Sequence, residues 1–315
     1  VQILITGASG FVGTALRSVL LEQGHQLRCA SRQAHHGVSG EEWVKVDLQD
    51  TRQLPELMRG VDAAYYLVHS MGAGGSPNYA TAEQAAALAF AGAAELTGLQ
   101  RIIYLGGVIP QGPLSAHLES RRRVGETLRT SRVPTLELRA SMIIGNGSAS
   151  WQIVRDLALR LPAMILPSWT RHVMAPVALD DVLVALVKGL TVQLDKSAWF
   201  DLPGPELLSA RRMMEIVAGL QGRRFVWLPV PWLTPRLSAL WLRFVTRTDT
   251  ALAMELVRGF TQDLLPRSGR YWRLIQHTQL MTFEDAARHA LATEAPPRGA
   301  GGLEELMVAW ASPSA

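Results

Sequence analysis

Apolar and polar positions change rhythm repeatedly along the first half of the chain. Apolar runs of strand length fall near residues 2–6, 26–30, 43–46, 63–68, 101–105 and 134–138. Between them lie stretches with helical three-to-four-residue spacing near 11–23, 52–59, 79–97 and 116–131. Runs that are apolar throughout suit strands buried on both faces, so the alternation predicts an α/β fold, a doubly wound parallel sheet with helices on both faces. The stretch Ala80 to Ala94 is rich in alanine, which favours helix and lets the helix pack closely. Beyond Gly145-Asn146-Gly147-Ser148 the rhythm loosens, and prolines appear at 162, 167, 176, 203, 205, 229, 231 and 235. Trp199 to Glu206, followed by Ser209 to Gln221, predicts a strand, a turn and a helix capped by Ser209.

The first run, Gln2-Ile3-Leu4-Ile5-Thr6, leads directly into Gly7-Ala8-Ser9-Gly10-Phe11-Val12-Gly13 and then a helix. Each glycine answers a mechanical need. Gly7 lets the chain turn sharply out of the strand, Gly10 leaves room for a pyrophosphate against bare backbone, and Gly13 lets the helix approach the sheet. The helix N-terminus offers free N–H groups and partial positive charge. A second strand at Gln26 to Ala30 closes a βαβ unit of about thirty residues, the context that gives a glycine loop its meaning. Residues 1–148 are therefore expected to form a dinucleotide-binding domain. Residues 149–315 are expected to form a smaller substrate-side domain, interleaved with elements near 177–202 that return to the sheet.

The Gly-x-x-Gly-x-x-Gly spacing resembles the extended and atypical short-chain dehydrogenase/reductase superfamily. Val46-Asp47-Leu48, Ala64 to His69, Arg101 to Gly107, Glu137-Leu138-Arg139-Ala140 and Pro176 to Val182 stand at corresponding chain positions. Leu67-Val68-His69-Ser70-Met71-Gly72 and Arg122-Arg123-Val124-Gly125-Glu126 are similar to the atypical NAD(P)H-binding, nucleoside-diphosphate-sugar epimerase-like group. The resemblance implies a Rossmann fold in which Gly7, Ser9, Gly10, Phe11, Val12 and Gly13 form the phosphate loop. It also implies that Asp47 and Leu48 meet the adenine, that Leu67, Val68, His69 and Ser70 lie along the ribose and nicotinamide, and that Gly106 ends the fifth strand beside them.

An NAD-selective site normally carries an acidic residue at the end of the second strand, about twenty residues past the glycines. This chain has Ala30-Ser31-Arg32 there, and no carboxylate lies between Glu22 and Glu41. Arg32 can place a planar charged fork on a 2′-phosphate, with Ser31 adding a hydroxyl and His35 and His36 as further phosphate neighbours. The expected cofactor is NADP(H) in preference to NAD(H).

The superfamily's usual Tyr-x-x-x-Lys pair is missing, because none of the five tyrosines is followed by lysine four residues later. The helix that should carry the pair reads Ser115-Ala116-His117-Leu118-Glu119-Ser120-Arg121-Arg122. One register puts His117 and Arg121 at the two positions, on one helical face; the other puts Leu118 and Arg122 there. The usual serine is replaced by Gly106-Gly107. Arginine releases no proton at neutral pH but still binds ribose hydroxyls or phosphate. Histidine, with an unperturbed pKa of about 6.5, is the candidate proton donor. The leading expectation is an NADPH-dependent oxidoreductase acting on a small to medium, partly hydrophobic carbonyl or conjugated substrate. The alternatives are a non-catalytic NADP(H)-binding sensor or scaffold, and a sugar-nucleotide epimerase-like enzyme.

The bulk numbers narrow little further. The chain has 315 residues, 48% of them hydrophobic and 18% charged, and a formal net charge of +4. Its basic residues are scattered and mark no nucleic-acid face. A single cysteine, Cys29, fits a reducing compartment, and no metal-ligand cluster appears. No charged leader followed by an apolar stretch is visible, nor an uncharged apolar run of about eighteen residues, so a cytoplasmic location without a membrane-spanning helix is expected. Leu233, Leu237, Leu240, Trp241 and Phe244 share one helical face flanked by Arg236, Arg243 and Arg247. That stretch, 233–247, suits a helix packed on its own domain, a substrate lid or a peripheral membrane contact. A flexible tail at Glu294 to Gly302 and a short helix at Leu303 to Trp310 complete the expectations.

Overall fold

The computed structural model describes residues 1–68, 79–160, 163–166, 168–223, 226–229 and 262–294. His69 and Ser70, the 233–247 helix and the 303–310 helix lie outside the described residues.

Seven parallel strands form the central sheet: β1 (Gln2–Thr6), β2 (Gln26–Ser31), β3 (Glu41–Lys45), β4 (Ala63–Tyr66), β5 (Arg101–Gly107), β6 (Thr135–Ala140) and β11 (Ala198–Asp201). Their spatial order is β11-β6-β5-β4-β1-β2-β3, so the order reverses at β1. A crevice opens outside the carboxyl ends of the strands at such a reversal, which is where α/β sheets bind ligands.

The period-two alternation of each strand divides its side chains between two cores. Ile3 and Ile5 of β1 pack with α1 (Phe11–Glu22) and α6 (Leu179–Lys188). Leu4 packs on the other side with α2 (Leu54–Leu57), α3 (Tyr79–Thr97) and α4 (Ala116–Arg129). Tyr65 and Tyr66 divide in the same way. Tyr65 donates its hydroxyl to Leu186 O at 3.0 Å, and Tyr271 donates to Ala185 O at 3.0 Å. Both carbonyls belong to the last turn of α6, where they otherwise share the single Gly189 N–H, so each phenol fills an acceptor the helix end leaves under-used. Each such bond contributes about 1 kcal/mol net, and Tyr65 and Tyr271 are thereby structural.

A third core joins α5 (Ala149–Arg160), α7 (Ala210–Leu220) and α9 (Phe283–Thr293) around Trp151 and Phe283. Ser209 caps α7, its side chain accepting the Arg212 N–H at 3.2 Å. Three details differ from the sequence-based expectation. The third strand begins two residues earlier, at Glu41. The expected helix at 52–59 is a 3-10 turn at Thr51–Gln53 running into a four-residue α2, with Pro55 in its first turn. Of the returning elements, β10 (Val177–Ala178) pairs with β7 (Ile143–Ile144) instead of the sheet, and β11 alone joins β6. No helix among the described residues is long and apolar enough to cross a membrane.

Candidate functional site

A cavity of about 610 Å³ opens at the carboxyl ends of β1, β2, β4 and β5. The glycine loop forms its floor. Gly7 has φ +73°, and a Cβ there would lie 2.8 Å from Leu67 O. The Gly10 N–H donates to Gly7 O at 3.0 Å, closing the turn, and Gly10 itself is exposed. A Cβ at Gly13 would come 2.2 Å from Gly7 O, so only glycine allows α1 to start this close to the loop. The first turn of α1 carries no acidic residue that would oppose an anion there.

Ser9, Gly10, Ser31, Arg32, Asp47, Leu48, Leu67 and Val68 all reach the cavity wall. Arg32 and Asp47 are exposed, and the Gln49 N–H anchors the Asp47 carboxylate at 3.0 Å. Glu41, at the amino end of β3 and away from the cavity, accepts from Trp43 Nε1 at 3.0 Å and pairs with Arg17 at 3.4 Å. Phe11, Val12, Gly13 and Gly106 do not line the cavity. Gly13 serves packing. A Cβ on buried Gly106 would lie 3.1 Å from the Tyr104 ring and 3.3 Å from Glu137 Oε1, which makes Gly106 a packing residue too. Cys29, buried in β2, has its thiol pushed up to about 12, chiefly by burial, and is inert.

The far wall comes from four elements: Tyr66 of β4, Glu83 of α3, Tyr104 of β5 and Arg121 of α4. Tyr66, which ends β4, is the register partner of Tyr104 in the middle of β5. The Tyr104 hydroxyl donates to the Arg121 carbonyl at 3.1 Å, and Ser120 Oγ donates to Glu83. Burial holds both phenols well above the usual tyrosine range. Arg121 Nε is buried without a hydrogen-bond partner, a donor directed to a place where the protein supplies no acceptor.

The helix register is now explicit. Leu118 is buried in the third core, and Arg122 turns outward to Glu119 at 2.7 Å and Glu126 at 2.5 Å. Arg121 alone of the two arginines reaches the cavity, which places His117 at the position one turn before it. His117 is half-buried and does not line the cavity. Burial, with a smaller contribution from Arg121, lowers its imidazole to about 3. This corrects the expectation of a donor that titrates near operating pH, because His117 is neutral throughout the physiological range. Tyr66, Glu83 and Tyr104 were not anticipated as wall residues. The one signal for the tyrosines was that both fall near the carboxyl ends of the strands expected at 63–68 and 101–105.

Residues 3–127 match the NAD dependent epimerase/dehydratase family. That match covers about two fifths of the chain and is a likeness to the epimerase-like short-chain dehydrogenase/reductases; the parallel sheet is that of a Rossmann-like fold. An uncharacterized protein of Mycobacterium tuberculosis is 27% identical over 228 residues, covering 71% of this chain and 24% of that protein. A 2-alkyl-3-oxoalkanoate reductase of Stenotrophomonas maltophilia is 37% identical over 78 residues, covering 24% of this chain and 23% of the reductase. The chain thus spans about a quarter of the length of the curated relatives it matches. Among solved structures, UDP-glucuronic acid 4-epimerase of Bacillus cereus, in complex with UDP-glucuronic acid and NAD, superposes with a TM-score of 0.70. That match is 14% identical and covers 93% of this chain and 98% of the epimerase; at such identity it shows the fold alone. A nicotinamide dinucleotide is the cofactor class of the family.

Proposed function

We propose that this protein binds NADP(H) in preference to NAD(H) and is an NADPH-dependent oxidoreductase for a small to medium carbonyl or conjugated substrate. The observation that carries the cofactor preference is the Ser31-Arg32 pair on the cavity wall, where β2 ends without a carboxylate. The pocket suits the group on two independent counts. The glycine cradle has no room for a Cβ, and the buried Arg121 Nε needs an acceptor such as a ribose hydroxyl. When bound, the cofactor supplies the hydride.

In this reading, Gly10 and the α1 N-terminus hold the pyrophosphate, Asp47 and Leu48 flank the adenine, and Ser31 with Arg32 hold the 2′-phosphate. Arg121 orients the ribose with a charge it cannot lose, so it positions without transferring a proton. His117, four residues earlier, is neutral and does not line the cavity, so water is the proton source. A positioned acid contributes about 10²–10⁴ in rate, so turnover without one is expected to be slow.

The epimerase reading is favoured by the likeness in fold to epimerases such as the Bacillus cereus enzyme. Against it stands the chemistry of the wall. Reversible oxidation of a sugar needs a relay matched to operating pH, and burial holds Tyr66 and Tyr104 far above it. The deciding experiment follows NADPH absorbance with a panel of carbonyl and enone compounds, beside incubation with UDP-glucuronic acid. Carbonyl-dependent NADPH loss supports the reductase. Conversion of the nucleotide sugar with no net change in cofactor overturns it.

A further inference from the structure

Behind the Ser31 hydroxyl lies a second layer of ordered side chains. His35 Nε2 is 3.0 Å from Ser31 Oγ, and the Gln33 N–H donates to the same oxygen at 3.1 Å. The His35 ring rests on Trp43 with centroids 4.3 Å apart, and the Arg17 guanidinium lies 4.6 Å from the Trp43 ring. Trp43 is fixed in turn by its Nε1–H bond to Glu41 at 3.0 Å. Gly37 lets the loop fold this tightly, since a Cβ there would fall 2.7 Å from Glu41 O and 3.0 Å from Trp43 Cδ1. The charged and titratable groups around His35 are Arg17 and Glu41 about Trp43, and Arg32 and His36 in its own loop.

A serine hydroxyl has one hydrogen and two acceptor lone pairs. Gln33 uses one lone pair of Ser31. If His35 Nε2 is bare, the Ser31 hydrogen is drawn to it, and the oxygen shows the cavity its remaining lone pair. If Nε2 carries a hydrogen, the imidazole donates, the second lone pair is filled, and the Ser31 O–H is free to point into the cavity. A phosphate, which only accepts when ionised, needs the second arrangement. A ribose 2′-hydroxyl, which also donates, is satisfied by the first.

We propose that His35 is a positioning residue for cofactor specificity: with a hydrogen on Nε2, as when protonated, it makes Ser31 a donor to the 2′-phosphate of NADP(H), and neutral with its hydrogen on Nδ1, it makes Ser31 an acceptor suited to the free 2′-hydroxyl of NAD(H). This role presupposes the NADP(H) reading of the cavity proposed above. Binding of the phosphorylated cofactor then favours the imidazole with a hydrogen on Nε2, and preference for NADP(H) over NAD(H) falls when that hydrogen is lost.

The test is isothermal titration of the full chain with NADP⁺ and NAD⁺ at pH 6 and pH 8, for the wild type, His35→Phe and Ser31→Ala. The 2′-phosphate has its own ionisation near pH 6, by analogy with phosphoserine, so the wild type is read against His35→Phe, where only the ligand's titration remains. A charge-assisted hydrogen bond sets the expected size: relative to His35→Phe, the wild-type preference for NADP⁺ changes about tenfold more between the two pH values. Repeating the wild-type titration at pH 7 in buffers of different ionisation enthalpy reports net proton uptake with NADP⁺ beyond that of His35→Phe. Equal pH dependence in the wild type and His35→Phe overturns the role. Full pH dependence in Ser31→Ala also overturns it, because the imidazole would then act by charge alone. Should His35→Phe fail to fold, the comparison with Ser31→Ala decides. Binding of NADP⁺ with a fixed preference defeats the inference alone, whereas binding of neither nucleotide defeats the cavity reading with it.

Discussion

One end of the cavity is assembled from continuous chain and the other by convergence. At the glycine end, the turn, the bare backbone and the helix start all fall between Gly7 and Gly13, and the clearances that require glycine are set by neighbours in the same loop. At the far end, Tyr66, Glu83, Tyr104 and Arg121 come from four separate elements and meet because β4 and β5 are register partners beneath α3 and α4. The glycine end offers main chain and helix charge, which suit the phosphates of any dinucleotide. The far end presents side chains, one of them with a buried donor left over, and side chains can be exchanged to change chemistry without changing the fold.

The sharpest way to break the comparison is at Gly13. Gly13→Ala drives a Cβ to 2.2 Å from a backbone oxygen that cannot swing aside. It is expected to lower stability by about 3 kcal/mol in urea unfolding and to abolish nucleotide binding. Gly10→Ala, whose Cβ would sit at 3.2 Å from Gly7 O, should cost less stability while still weakening binding. Retention of wild-type stability in Gly13→Ala contradicts the described loop.

Next comes the convergent end. Arg121→Met removes the buried unpartnered donor, so the fold should be kept while affinity for NADP⁺ and NAD⁺ falls together by about tenfold to a hundredfold. A selective loss for one nucleotide would place Arg121 at the 2′-phosphate instead. Arg32→Ala should show the opposite pattern, about tenfold weaker NADP⁺ binding with NAD⁺ nearly unchanged.

The effect expected at His117 is confined to acid pH. Its folded pKa lies near 3 against about 6.5 in the unfolded chain, so below pH 6.5 the unfolded state binds a proton that the folded state refuses. Well above pH 6.5 there is no penalty, and as pH falls from 7 to 5 the protein should lose up to about 2 kcal/mol from this residue. His117→Leu should flatten that part of the stability curve. An unchanged acid limb would mean that His117 titrates normally and is available as an acid after all.

Much of this was legible beforehand because it is written in local spacing. The strands at 2–6 and 101–107, the helix at 79–97 and the three roles of the glycines follow from periodicity and loop chemistry within a few residues of each other. Ser31, Arg32 and Asp47 were legible because each closes a strand on the ligand side of the sheet. The register of α4 was not, since four-residue spacing fits His117 with Arg121 and Leu118 with Arg122 equally well. Only packing separates them, by burying Leu118 and pairing Arg122 with Glu119 and Glu126. Tyr66 and Tyr104 were examined for a lysine along the chain, whereas the partner of Tyr104 is the backbone of Arg121, seventeen residues away. The neutral state of His117 is likewise set by burial, which the sequence around it does not encode.

The most direct test of the central claim is thermal unfolding of the purified chain with NADP⁺, NADPH, NAD⁺ and NADH, each at matched concentration. A ligand at one hundred times its dissociation constant stabilises by about 2.7 kcal/mol, a shift of several degrees in a protein of this size or smaller. The account predicts a clear rise with the two phosphorylated nucleotides and a smaller one with the other two. An equal or larger rise with NAD⁺ and NADH would contradict the assignment of Ser31 and Arg32 to the 2′-phosphate.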